Sequence, residues 1–123
     1  MAENILTLKS KTFAVRIIKL YKHLCEDKKE YVLSKQILRS GTSIGANIRE
    51  ASFAQSKNDF ISKMSISLKE VSETMYWLEL MEETEYISAD IANSLKEDAR
   101  ELLRILQASI ITAKNNRDKE KNK

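Results

Sequence analysis

The residues able to do chemistry are few. The 123-residue chain holds one histidine, His23, and one cysteine, Cys25. Two positions apart on a helix, their side chains diverge by roughly 200°, which rules out a thiolate–imidazole nucleophile. A single histidine cannot supply the Glu-x-x-His pairs of a di-iron bundle, and Leu20 stands where the required glutamate would be. One cysteine allows no internal disulfide. Gly41 and Gly45 do not form a phosphate loop, because no Gly-Lys-Ser/Thr follows them and no strand precedes them. No metal or cofactor is therefore expected. What remains is cationic. Lys9, Thr12, Arg16, Lys19 and His23 recur on one stripe of a helix, and Lys35, Arg39 and Arg49 share a face of the next with Thr42, Ala46 and Phe53 between them. Side chains of this kind contact phosphates; a plain solvated helix face is the competing reading.

The elements that position these residues follow from what the sequence lacks. There is no proline and there are only two glycines, against roughly 6 and 9 at average usage. Sandwiches, barrels, dinucleotide-binding folds and collagen-like repeats are excluded, and long helices are expected. No signal peptide or membrane span is legible, so a soluble, cytoplasmic protein without membrane partners is expected. The net charge of +3 is modest but unevenly distributed: residues 1–40 net +5, residues 41–87 net −4, and residues 88–123 net +2.

Periodicity predicts four helices in one domain over 1–114, at about 10–25, 30–54, 57–83 and 89–114, with 115–123 a disordered basic tail. Ser10, Ser56 and Ser88 are the expected caps. Core stripes are expected at Phe13, Ile17, Leu20 and Leu24, widened by Ala14, Ile18 and Tyr21; at Leu33, Ile37, Leu38, Ile44, Ile48 and Ala51; at Phe60, Met64, Leu68, Val71, Met75 and Leu78; and at Ile91, Leu95, Ala99, Leu102, Leu106, Ile110 and Ala113. Short polar connections make this an antiparallel up-and-down four-helix bundle. Gly41 and Gly45 fall beside Ile37, Ile44 and Ile48, which argues for one continuous helix with a close backbone contact rather than a break. Gln36, Ser40, Ser43, Asn47 and Glu50 form a polar seam along the same helix. Ile66, Trp77 and Leu80 lie off the core stripe of the third helix, as a subunit interface would, with Trp77→Asp the disruptive substitution; a broad core facing two helices is the alternative.

Three resemblances bear on function. The segment Ser43-Ile44-x-x-Asn47-Ile48-x-Glu50, within 33–51, and the run Ser67-Leu68-Lys69-Glu70 with Glu73 resemble the signature helices of the bacterial four-helix-bundle proteins encoded in intervening sequences of 23S ribosomal RNA. Gly41, Ser43, Gly45, Asn47, Glu50 and Glu70 carry the likeness, and Ala51 stands where many members have glycine. The resemblance spans 13 to about 113 and implies a compact bundle assembling into a ring, typically a homopentamer, with no enzymatic activity. The distantly similar accessory variability protein of diversity-generating retroelements implies binding to nucleic acid and to a protein partner. Arg16 and His23, with six residues between them, are similar in spacing to the Arg-x(4–6)-His motif of HEPN-type ribonucleases, but Ile17 replaces the usual polar residue and the pair lies in the first helix.

The expected function is thus a non-enzymatic homo-oligomeric scaffold, pentameric by family expectation. It would bind RNA, or DNA, through Lys9, Arg16, Lys19, Lys35, Arg39 and Arg49. A module recruiting a protein through the third helix is the alternative, and a HEPN-like ribonuclease is the third.

Overall fold

The computed structural model describes residues 2–122, and the side chains of 5–122. Four helices follow one another: α1 (Ala2–Glu26), α2 (Leu33–Ser52), α3 (Lys57–Glu83) and α4 (Ala89–Lys121). They form an all-α up-and-down bundle. Each helix packs on its neighbours in sequence, α4 returns to α1 along a sparser seam, and the diagonal pairs are not backbone neighbours.

The expected caps hold at two of three helix starts. Ser56 Oγ accepts the Asp59 N–H at 3.0 Å, and Asp59 Oδ2 accepts the Gln55 N–H in return at 3.2 Å. Ser88 Oγ accepts from Ile91 N–H at 3.2 Å. Ser10 is not a cap. It sits inside α1, which begins at Ala2, and is buried at 1% exposure, its hydroxyl bonded to the Thr7 carbonyl. Nor does α2 start at Glu30: that residue precedes the helix and its carboxylate accepts the N–H groups of Val32, Leu33 and Ser34 at 3.0, 3.0 and 2.7 Å. Burial would push the Glu30 carboxyl up, but these donors outweigh it and hold it below its ordinary value. With no glycine in either turn, Lys29 and Glu85 take the left-handed conformation at φ 56° and 67°.

The tail is the third correction. Residues 115–121 continue α4 rather than leaving it. No proline or glycine interrupts them, and the extension is tied to the start of α3 by Arg117 on Asn58 and Lys57 on Glu120.

The core contains Phe13, Ile17, Ile44, Met64, Val71, Leu78, Leu102 and Leu106, all within 1% of complete burial. Three stripes need adjustment. On α1, Ile18 is exposed at 39%, so the apolar face is narrower than periodicity implied. On α4, Ala92 turns inward and Ile91 outward. On α3, Phe60, Leu68 and Met75 only flank the core, while Ile61, Ser67, Thr74 and Met81 are buried.

Candidate nucleic-acid interface

The α1–α2 contact is a close one because two side chains are missing from it. A Cβ built on Gly41 would lie 2.8 Å from both Cγ atoms of Ile17, and one on Gly45 would lie 3.2 Å from Ser10 Oγ. Missing side chains thus let α2 settle onto α1, and α2 remains one uninterrupted helix.

The other side of α2 meets α3 through hydroxyls. Ser67 Oγ donates to the Ile44 carbonyl at 2.9 Å, and the Thr74 hydroxyl lies 2.9 Å from that of Ser40 and 2.7 Å from the Glu70 carbonyl. All three side chains are fully buried, and each has a partner. The expected seam therefore divides. Ser40 is its buried member; Ser43 and Asn47 bond carbonyls of their own helix at Arg39 and Ser43; Glu50 lies 3.7 Å from Lys63; Gln36 is exposed. Ser67, legible only as part of the family-like run, and Thr74 escape a reading of the core because periodicity weighs apolar residues, and a buried hydroxyl looks like a surface one in sequence.

The nominated cations fall into two groups. Lys9 pairs with Glu101 at 2.6 Å, and Arg16 binds Asp98 at 2.6 Å and Ser94 at 3.0 Å, so both tie α1 to α4. The Lys9 ammonium, with Arg104 beyond it, holds the Glu101 carboxyl below its ordinary value. Arg39 reaches α3, at 2.5 Å from Glu73 and 3.6 Å from Glu70, and these carboxylates hold its guanidinium above the ordinary arginine value. Lys19, Lys35 and Arg49 are exposed and form no ion pair among the described residues. One oxygen of Glu70, Oε2, is sealed from solvent without a hydrogen-bond partner.

The proposed interface residues share the α3 flank beside Arg39. Ile66 is 39% exposed, Leu80 is half-buried, and Trp77 packs on the core with its indole N–H 3.3 Å from Glu73 and its ring 5.4 Å from Tyr76. Arg16 and His23 line one shallow groove of about 360 Å³ between α1 and α4, over Leu20, Ile91 and Leu95. His23 Nδ1 lies 2.7 Å from Asp27, and Cys25 Sγ faces Ser34 at 3.7 Å, so the two residues do diverge. Among the described residues no cluster of His, Cys, Asp or Glu could hold a metal ion, and no helix is long and apolar enough to cross a membrane.

Comparison with known proteins agrees with this architecture. Residues 2–108 match the family model of the 23S rRNA-intervening sequence protein. The chain belongs to this family. Among solved structures, it is similar to a protein of unknown function from the S23 ribosomal protein family of Bacteroides thetaiotaomicron, with 55% identity and a TM-score of 0.89 over 89% of this chain and 98% of that one. No curated protein matches. Of the residues that carry the family likeness, Gly41 and Gly45 lie against α1, Glu50 of α2 and Glu70 of α3 meet Lys63 and Arg39 across the α2–α3 seam, and Ser43 and Asn47 bond within α2.

Proposed function

We propose that the protein is a non-enzymatic, cytoplasmic homo-oligomeric scaffold, a pentameric ring by family expectation, that binds nucleic acid, RNA above all, through basic surface residues. The observation that carries this reading is the exposed, uncompensated set Lys19, Lys35 and Arg49. Lys9, Arg16 and Arg39 already have carboxylate partners within the protomer, so their role is to hold α1 and α2 to α4 and α3. A mildly basic chain gains useful affinity when such contacts are repeated around an assembly. The ribonuclease reading has one placement in its favour, the groove shared by Arg16 and His23. Against it, the Arg16 guanidinium is held by Asp98 and Ser94; His23 meets Asp27 through Nδ1 alone, which leaves Nε2 open.

The recruitment of a protein through α3 has its own support in the exposed Ile66 and Tyr76. A gel-shift titration with single-stranded RNA across a salt series separates the readings. The scaffold predicts binding at low salt that weakens steadily as salt rises, without cleavage. No binding at low salt, or binding indifferent to salt, refutes it; RNA turnover lost on His23→Ala would instead establish the enzyme.

A further inference from the structure

Residues 4–25 of α1 and residues 33–49 of α2 contain eight lysines and arginines and no aspartate or glutamate. These two helices are neighbours, so neither can neutralise the other. Apart from Glu3, Glu26 and Glu50 at the helix ends, their countercharges come from α3 and α4, and the described pairs lie at the seams: Glu101 and Asp98 meet Lys9 and Arg16, and Glu70 and Glu73 meet Arg39. The outer surface, where α1 and α2 lie side by side and away from the other two helices, holds no ion pair among the described residues.

Helical geometry identifies what stands there. Taking the buried residues of each helix as facing the core, Lys11 and Lys22 project outward on the α2 side of α1, and Lys35 and Arg49 project outward on the α1 side of α2. All four are exposed and without an ion pair among the described residues. The contacts of Gly41 with Ile17 and of Gly45 with Ser10 set the register of the antiparallel pair. That register brings Lys22 level with Lys35 and places Lys11 within about one turn of Arg49, two doublets roughly 16–21 Å apart along the helices. Between them the surface carries Ile18 and the half-buried Thr42 rather than charge. Among the described side chains, the carboxylate on the outer side of α1 is Glu26, exposed and a turn past Lys22.

Building on the proposed function, we infer that the outer α1–α2 face, with Lys11, Lys22, Lys35 and Arg49, is the surface that binds the phosphodiester backbone of a nucleic acid. Lys9, Arg16 and Arg39 stay out of the contact, and so does Lys19, which lines the groove between α1 and α4 with Arg16 and His23. The close helix approach at the two glycines serves this directly, since it draws the cations of two helices into one surface. The spacing suits a polyanion that runs along the helices; the exposed aromatics Tyr31 and Phe53 lie beyond the doublets rather than between them.

The test measures affinity of the full chain for a fluorescent 20-nucleotide single-stranded RNA of mixed sequence between 50 and 200 mM salt. Four phosphate contacts per protomer give a slope near −2.8, an affinity loss of about 50-fold over that range. Lys11→Gln with Lys22→Gln should halve the slope, leaving about a 7-fold loss, and weaken binding at 50 mM by at least about ten-fold. Lys69→Gln with Lys114→Gln, exposed lysines of α3 and α4, remove the same charge and should leave both quantities nearly unchanged. Circular dichroism verifies folding, and Lys35→Gln with Arg49→Gln repeats the test from the other helix. Equal losses in the face and control variants overturn the surface while nucleic-acid binding stands. A wild-type protein that binds no RNA at 50 mM overturns the function and the surface together. Competition by polyglutamate as effective as by unlabelled RNA of equal charge overturns the assignment to nucleic acid.

Discussion

Gly41→Ala isolates the steric contact between α1 and α2. The substitution adds one methyl group to a helix interior, which by propensity alone stabilises by about 1 kcal/mol. Here the new Cβ would stand 2.8 Å from Cγ1 and Cγ2 of Ile17, where ordinary contact begins at 3.4 Å. Both atoms are bonded directly to the Ile17 Cβ, itself only 3.2 Å from the new methyl, and a β-branched side chain in a helix has essentially one χ1 rotamer. Ile17 is fully buried and cannot swing away, so the helices must separate by several tenths of an ångström. Overpacking of that kind costs about 1–3 kcal/mol and more than cancels the propensity gain. Gly45→Ala is the internal control. Its propensity gain is the same, but the nearest atom is the Ser10 hydroxyl at 3.2 Å, followed by contacts at 3.5 and 3.6 Å, and a hydroxyl can turn aside.

Urea unfolding at one fixed protein concentration, so that assembly does not enter the comparison, should give a lower midpoint for Gly41→Ala and a nearly unchanged or higher one for Gly45→Ala, with equal m-values. A double-mutant cycle with Ile17→Ala completes the test, because that change removes the clashing atoms. The pair should be less destabilised than the sum of the singles by at least about 1 kcal/mol. Equal midpoints for the two alanine variants, or strict additivity in the cycle, would refute the reasoning.

Glu30 makes part of the stability acid-sensitive. Its carboxyl is held below the ordinary value of 4.5, so the contribution is complete above that pH and fades as pH falls through the lower, folded value. Glu30→Gln should cost about 1 kcal/mol at pH 7, and the gap from wild type should narrow as pH falls below 4.5 and close once the folded carboxyl is protonated; a pH-independent gap in urea midpoints would contradict this. Ser67→Ala should cost about 0.5–1.5 kcal/mol through loss of the bond to the Ile44 carbonyl, read in the same assay. For assembly, Ile66→Asp is cleaner than Trp77→Asp, because Trp77 also packs on the core whereas Ile66 is 39% exposed. Sedimentation should show an oligomer for the wild type and smaller species for Ile66→Asp; a wild-type monomer at micromolar concentration removes the ring.

The third helix shows how far patterning reaches. Met64, Val71 and Leu78, seven apart, belong to both possible frames of α3 and were legible from spacing. The flank that completes the frame was not. Hydrophobicity favours Phe60, Leu68 and Met75, yet the packed flank holds Ser67 and Thr74, whose small side chains admit α2 and whose hydroxyls find the Ile44 carbonyl and Ser40. The candidate site was legible to a similar depth: basic residues could be counted, but not those that a distant carboxylate would neutralise. Arg39 looked as available as Arg49 until Glu70 and Glu73 were seen beside it.

By itself, the sequence determined the long helices, through the absence of proline and the scarcity of glycine, and their starts at Ser56 and Ser88. It also determined that residues 4–25 and 33–49 carry cations and no acidic residue. Tertiary structure alone decided which of those cations stay free. Propensity and capping act within one or two turns of chain, whereas the pairs Lys9–Glu101, Arg16–Asp98 and Arg39–Glu73 join residues brought together only when the helices pack.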